Sequence, residues 1–329
     1  MTSTSEQASN RSPDANPEAV RAEVSRTELT ERIAEAVSKA GGPQPIEGLI
    51  LRRYATSGEP IYGVSRPSLC VIAQGSKEIY LGESRYRYDP YHYLLATAEL
   101  PITGRVLGAS DDEPFLGLVL TLDANLVSSV MVEAGYAAPQ NKADVSAIDV
   151  SPLGIDLLDA VLRLVRLVDR PDEASILAPM IKKEIVYRLL KGEQGKRLRQ
   201  IAVLNGAHHR ITRAIERLHD HYDESIRMED LAEELGMSTS SFHRKFKAVT
   251  GMTPLQFQKQ IRLQEARQLM LGENLSAATA GYRVGYDDPS HFSREYKRFF
   301  GNPPMRDVER LREAAGTAAA ESGVVRGRA

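Results

Sequence analysis

Apolar positions along this chain change their period twice, and each change marks a new kind of element. Between residues 18 and 39, Val20, Val24, Leu29, Ile33, Ala34 and Val37 recur at three- and four-residue spacing, which predicts one or two amphipathic helices. From residue 49 the period shortens to two. Residues 49–51, 68–73, 77–81, 85–88 and 93–97 are short runs rich in branched or aromatic side chains, separated by turns at Gln74-Gly75-Ser76, Gly82-Glu83-Ser84 and Asp89-Pro90. Residues 102–107 and 114–122 continue the series. Strands this short and this closely spaced predict a β-sandwich or small barrel. Residues 123–134 read as helix again, and the small, polar stretch 137–151 reads as a loop.

The helical period then returns and persists. Residues 153–169 carry Leu157, Leu158, Val161, Leu162, Val165 and Val168, and residues 173–191 carry Ile176, Leu177, Met180, Ile181, Ile185, Leu189 and Leu190. Apolar faces this wide suit packing on one another or on a second subunit, so a homodimer is one expectation. Gly192-Glu193-Gln194-Gly195 reads as a flexible hinge. Beyond about residue 207 everything is helical, punctuated by Gly236, Gly251, Gly272, Gly285 and Gly301.

Within that last part the sequence repeats itself fifty positions apart. Ser240-Ser241-Phe242-His243-Arg244-Lys245-Phe246-Lys247 aligns with Ser290-His291-Phe292-Ser293-Arg294-Glu295-Tyr296-Lys297, and Gly251 and Pro254 align with Gly301 and Pro304. Each copy follows a short apolar helix ending at a glycine, Gly236 or Gly285. A helix, a glycine-marked turn and a second helix with cations outside is the grammar of a helix-turn-helix. Two copies are too few for a solenoid. They read better as a paired reader of double-stranded DNA.

In the first copy Leu231, Leu235, Phe242 and Phe246 close a small core, and Ser238 is placed to cap the second helix. That leaves Thr239, Ser240, His243, Arg244 and Lys247 outward. Arg244 suits the O6 and N7 of guanine, His243 and Ser240 suit base edges, and Lys247, a turn later, suits phosphate. In the second copy Phe292 and Tyr296 face inward, with Ser290, His291, Arg294 and Lys297 outward and Asp287 or Asp288 as the cap. Residues 254–271 form one amphipathic helix between them, through Phe257, Ile261, Leu263, Ala266, Leu269 and Met270. It would hold the two outer helices about 34 Å apart, as successive major grooves require. Ala280-Gly281 provides little side chain for the core of the second copy's first helix.

Composition limits the alternatives. The chain has 329 residues, enough for two domains, and a net charge of −2. The C-terminal hundred residues hold about as many acids as bases, so DNA affinity there depends on local clustering of cations. One cysteine, Cys70, excludes an internal disulfide and suits a reducing cytosol. The polar start lacks the apolar segment of a signal peptide, and no run approaches the ~18 apolar residues of a membrane helix, so a cytoplasmic protein is expected.

These C-terminal residues resemble the AraC/XylS family of bacterial transcription regulators. The resemblance is strongest over residues 213–310, and above all in Val284-Gly285-Tyr286-Asp287-Asp288-Pro289-Ser290-His291-Phe292-Ser293-Arg294-Glu295-Tyr296-Lys297-Arg298-Phe299-Phe300-Gly301 with Pro303-Pro304. Upstream, Pro67-Ser68-Leu69-Cys70-Val71-Ile72-Ala73-Gln74-Gly75-Ser76-Lys77, Tyr88-Asp89-Pro90, Leu100-Pro101-Ile102-Thr103-Gly104, Leu177-Ala178-Pro179-Met180 and Glu184-Ile185-Val186-Tyr187-Arg188-Leu189-Leu190 resemble the N-terminal regulatory part of one branch of that family. The resemblance implies an α+β chain: a cupin-like β-barrel with flanking helices that serve dimerisation, then an all-α domain of two helix-turn-helix units joined by a linker helix. It also implies contact with promoter DNA in two adjacent major grooves and control of initiation through RNA polymerase. His243 and His291 depart from the family's usual small or amide residues, so base preference is not carried over.

The expected division is a disordered arm at 1–17, a β-rich effector-sensing domain at 18–136, a helical dimerisation or linker region at 137–195, and a DNA-binding domain at 207–312 with units at about 228–251 and 276–301. An unknown small effector is expected in the barrel. Cys70, Tyr80, Tyr88 and His92 are the candidates for its pocket, though strand tyrosines are more often packing with a wet tip, and a cysteine between Leu69 and Val71 is more often core. A metal cupin enzyme is the sharp alternative, but its coordination shell needs two or three histidines and a carboxylate. Only His92 lies before residue 200, and His208, His209, His219 and His221 have no cysteine near them. No nucleophile elbow, phosphate loop or dinucleotide turn is present, so neither catalytic residues, a metal nor a cofactor is expected. The remaining alternative is an adaptor whose helix-turn-helix units contact protein.

Overall fold

The computed structural model describes residues 16–39, 46–58, 60–136, 146–199, 201 and 207–313. The arm expected at 1–17 falls almost wholly outside them. Helix α1 (Pro17–Ser38) starts where its sequence says it should: Asn16 accepts a hydrogen bond from the Glu18 amide, and Pro17 occupies the first turn, where a missing N–H costs nothing.

Among the described residues nine strands follow: β1 (Leu49–Tyr54), β2 (Pro60–Ser65), β3 (Ser68–Gln74), β4 (Ser76–Leu81), β5 (Ser84–Tyr88), β6 (His92–Ala96), β7 (Leu100–Leu107), β8 (Phe115–Thr121) and β9 (Ile148–Pro152). They form two antiparallel sheets, one in the order β1-β8-β3-β6-β9 and one in the order β2-β7-β4-β5. Helix α2 (Ala124–Glu133) lies between β8 and β9. After β9 come α3 (Ile155–Arg166), α4 (Pro171–Lys191) and the single turn α5 (Gly195–Leu198).

Strand alternation sorts the side chains. Leu69, Val71, Leu95, Leu116, Leu118 and Leu120 leave the five-stranded sheet on one face and join Leu29, Ile33, Leu158, Val161, Ile185 and Leu189 of the helices in one core. The alternate residues Ile72, Leu94, Ala96 and Phe115 turn to the other face and meet Ile79, Leu81, Tyr88, Leu100 and Val106 of the four-stranded sheet. The result is a two-sheet, barrel-like body with helices on one outer face. A clamp of charges seats α1 on α3: Arg166 donates to both carboxylate oxygens of Glu28, at 2.8 and 2.6 Å.

Strands β2 and β9 were absent from the sequence reading, and β9 lies inside the stretch read as a loop. Both are edge strands. There the ladder tolerates Pro60, Gly63 and Pro152, and these residues break the alternation that reveals an inner strand. The expected hinge at residues 192–195 is likewise packed. Arg197, 8% exposed, donates to the Ser146 carbonyl, the Gln194 amide oxygen and the Asp149 carboxylate. A side chain at Gly195 would collide with the Leu190 carbonyl. The glycine is there for close approach, not for freedom.

The rest of the described chain is helical: α6 (Ala207–Asp220), α7 (Met228–Glu234), α8 (Thr239–Thr250), α9 (Pro254–Gly272), α10 (Ala277–Arg283) and α11 (Pro289–Phe300). Leu231, Leu235, Phe242, Phe246, Phe257 and Ile261 share one apolar cluster with the barrel residues Leu81, Leu100 and Ile148, whereas Leu263, Met270, Val284, Phe292 and Tyr296 form a separate one.

Candidate nucleic-acid interface

The first unit is α7, a turn and α8. The amide of Gly236 returns to Glu233 O and that of Met237 to Ala232 O, with Gly236 at φ 62°. That is the left-handed stop which only glycine adopts cheaply. Ser238 then caps α8 by accepting from the Ser241 amide. Phe242 and Phe246 are fully buried and meet edge to face at 5.6 Å. With those two positions fixed inward, Ser240, Arg244 and Lys247 are exposed, and Thr239 and His243 half-exposed.

The second unit, α10 and α11, repeats this with different local chemistry. Asp288 is the cap: its carboxylate accepts from the Ser290 and His291 amides, at 2.8 and 3.2 Å, and those bonds hold its pKa below the ordinary value. Phe292 and Tyr296 are fully buried. Gly281 explains the thin core of α10, because a Cβ there would lie 3.0 Å from Phe292 Cγ. The ring of α11 fills the space that a larger residue on α10 would take. Ser290, His291, Arg294 and Lys297 are all exposed.

The C-terminal halves of α8 and α11 and the β4–β5 turn residues Gly82 and Glu83 border one cleft. Lys247 from α8, Gln256 and Lys259 from α9, and Glu295 and Arg298 from α11 line a single cleft of ≈ 350 Å³. Helix α9 is fixed at that end by a capping box, in which Thr253 and Gln256 satisfy each other's backbone amides. Among the described residues Arg244, Lys247, Arg294 and Lys297 make no hydrogen bond or ion pair, so their cationic heads are free.

Sequence reading missed the polar anchors behind these helices. Glu295 accepts from Lys259, from Arg298 at 2.9 Å and from the Tyr286 hydroxyl at 3.3 Å, with His291 Nε2 at 3.6 Å. Burial pushes its pKa up, but the Lys259 hydrogen bond and the charges of Lys259, His291 and Arg298 outweigh this and hold it below the ordinary value. Asp307, fully buried, takes both arms of Arg267 at 2.7 and 3.0 Å and the Tyr296 hydroxyl at 2.9 Å. Arg262 donates to the carbonyls of Tyr222, Glu224 and Gly285, pinning the second unit's turn. One signal was available. The repeat reverses charge at Lys245 and Glu295, and the reversed position is the one with partners.

The barrel touches both units. A Cβ on Gly82, in the β4–β5 turn, would collide with the Gly251 carbonyl at the end of α8. The Ala147 amide donates to Val249 O at 2.9 Å. On the second unit, Tyr62 of β2 meets Phe299 tilted at 5.3 Å and Phe300 edge-on at 4.7 Å, and Arg267 lies over the Tyr62 ring at 5.1 Å.

Of the four effector-pocket candidates, the structure brings two together. Cys70 and Tyr88 both point between the sheets, and the Cys70 sulfur lies 3.9 Å from Ser68 Oγ. Tyr80 leaves the opposite face of β4, where its hydroxyl bonds Glu78 at 2.7 Å, and His92 sits half-exposed at the start of β6, bonded to Asp89 at 2.8 Å. Tyr80 therefore faces away from Cys70 and Tyr88, whereas His92 shares the face of Leu94 and Ala96 at the exposed start of its strand. Among the described residues no group of three His, Cys, Asp or Glu side chains is placed to hold a metal ion, and no helix is long and apolar enough to cross a membrane. The side chains of His208 and His209 lie outside the described residues.

Comparison with known proteins bears on both halves. A model of the AraC-type transcriptional regulator N-terminus matches residues 45–197, and a helix-turn-helix domain model matches residues 231–310. The HTH-type transcriptional activator RhaS of Salmonella typhimurium is 30% identical over 161 residues, 48% of this chain and 56% of that protein, and RhaS of Salmonella agona matches to the same extent. The chain thus spans about half the length of the curated relatives it matches. Among solved structures, Vibrio cholerae ToxT bound to an unsaturated fatty acid aligns with a TM-score of 0.51 at 14% identity, over 80% of this chain and 95% of ToxT. ToxT from strain O395 aligns at 0.52 and 13%, over 79% and 96%. At these identities the likeness is one of fold. With the two models matching successive parts that together make up most of its length, the chain belongs to the AraC-type family of transcriptional regulators.

Proposed function

We propose that this protein is a sequence-specific DNA-binding regulator of transcription, with α8 and α11 entering adjacent major grooves of promoter DNA and the barrel sensing a small effector. The observation that carries this reading is the matched pair Arg244 and Arg294, exposed and unpartnered at equivalent places on two helices whose other faces are fully committed to cores. Lys247 and Lys297, three residues and so nearly one helical turn further from the caps, suit phosphates. Control of initiation through RNA polymerase, action in the cytoplasm and pairing of two copies through the helices beside the barrel belong to the same reading. The exposed Ile176, Met180 and Tyr187 of α4 support that last point.

Binding of the full chain to genomic DNA fragments, titrated against salt, tests the proposal. Affinity falls steeply as salt rises if cations displace counterions from phosphates. Arg294→Ala costs about 1–3 kcal/mol and relaxes preference at one base pair, whereas Lys247→Ala weakens all sequences alike and flattens the salt slope. The near balance of charge in the C-terminal half favours a second reading, in which the units contact protein. A salt-independent interaction unaffected by Arg294→Ala would select it.

A further inference from the structure

Most inward-facing side chains of the barrel are apolar, and Lys77 is a cation among them. Lys77 lies on the same face of β4 as Ile79 and Leu81, directly across the ladder from Tyr88 of β5. Its stem passes over Gly104 of β7: a Cβ at that glycine would lie 2.9 Å from Lys77 Cε and 3.4 Å from Nζ. Gly104 therefore makes room for the ammonium group. Among the described residues Lys77 has no hydrogen bond and no ion pair. Glu78, the nearest carboxylate in sequence, leaves the other face of the strand and pairs with Arg85 at 3.5 Å. The charged group that Lys77 does feel besides the Cys70 thiol is Arg52, which has its own sign.

Some open space and two further donors lie between the sheets with Lys77. Ile61, Cys70, Lys77, Ile102 and Val119 all point between the sheets yet remain partly accessible, and a Cβ added at Gly63 would meet nothing within 4 Å. Tyr88, opposite Lys77 across the ladder, and Cys70, close enough to act on its charge, stand beside the ammonium. Burial pushes both of their pKa values up, so hydroxyl and thiol keep their protons, and the same burial pulls that of Lys77 below its ordinary value. A desolvated ammonium without a counter-charge is costly, and an arriving anion removes that cost.

We propose that the barrel interior binds a small organic carboxylate, with Lys77 as its counter-charge and Tyr88 and Cys70 as additional hydrogen-bond donors. This rests on the reading of the barrel as the sensor and gives that sensor a ligand class. An apolar wall of Ile61, Ile79, Ile102 and Val119 receives the hydrocarbon part of the ligand.

The test is thermal melting of the full chain with acetate, butyrate, hexanoate and octanoate, each beside its primary amide at equal ionic strength. DNA affinity is measured in parallel with the same compounds. The proposal expects at least one carboxylate to raise the melting temperature while its amide does not, and Lys77→Met to weaken that carboxylate about tenfold or more. Without ligand, Lys77→Met should melt no lower than the wild type, because an apolar chain of similar length replaces an unpaired cation. No shift from any carboxylate, equal shifts from the amides, a shift retained in Lys77→Met, or a lower melting temperature of unliganded Lys77→Met overturns it. A carboxylate that stabilises through Lys77 but leaves DNA affinity unchanged supports the site and removes the sensor role. A DNA affinity that responds only to the amides overturns the ligand class and leaves the sensor standing.

Discussion

The two helix-turn-helix units read as copies in sequence but are held in the molecule by different forces. The first has no core of its own: Phe242 and Phe246 belong to an apolar cluster continuous with Leu81, Leu100 and Ile148 of the barrel. The second closes its own cluster around Phe292 and Tyr296, and polar anchors position it: Arg262 on three carbonyls, Glu295 on Lys259, and Asp307 on Arg267. Apolar burial is non-directional, while buried charge pairs demand one geometry. The first unit is therefore grafted onto the barrel, and the second is set against the first by hydrogen bonds, with Tyr62 as its aromatic contact to the barrel.

The largest effects separate the two cores. Phe242→Ala and Phe292→Ala should each cost about 3–5 kcal/mol. Calorimetry should show barrel and first unit losing stability together in Phe242→Ala, and a separate low-temperature transition of the second unit in Phe292→Ala. Equal, single transitions in both variants would erase the distinction. Asp307→Ala leaves Arg267 buried without its partner and should cost about 3 kcal/mol, confined to the second unit's amides in hydrogen exchange. Tyr62→Ala removes ring contacts with Phe299 and Phe300 for about 1 kcal/mol beyond lost burial. It should raise exchange in α11 and leave α8 unchanged, with Tyr62→Phe close to wild type.

The smallest effect is acid sensitivity. Glu295 has its pKa below the ordinary 4.5, so it contributes stability above that pH, and the contribution is lost as pH falls through its folded value. The matching position in α8 is Lys245 and not a carboxylate, so acid should loosen the second unit before the first. Hydrogen exchange on α8 and α11 between pH 6 and pH 4 reads this directly. The barrel's own acid-sensitive clamp is Glu28, held at about 2 chiefly by Arg166 and then Arg32, and its stability is lost only as pH falls from 4.5 toward that value.

What could be read from sequence was what repeats or alternates. The fifty-residue offset located both outer helices, because Phe242, Phe246, Phe292 and Tyr296 fix which faces turn inward. The inner strands were legible through alternation, whereas β2 and β9 were hidden by Pro60, Gly63 and Pro152, which only an edge tolerates. Residues 192–195 looked loose because glycine signals close approach and freedom alike, and Arg197 decides between them through partners distant in sequence. Lys77 was passed over for a similar reason: its sequence neighbours, Ser76 and Glu78, resemble those of any surface lysine. Its unpartnered position depends on strands β5 and β7.

The central claim is that two matched helices read one duplex side by side. Methylation-interference footprinting of the full chain on its best-bound genomic fragment, repeated with Arg244→Ala and with Arg294→Ala, tests it most directly. Two contacted guanine patches about one helical turn apart are expected, each variant erasing a different patch. A single patch, or two patches that both survive either substitution, would contradict the account.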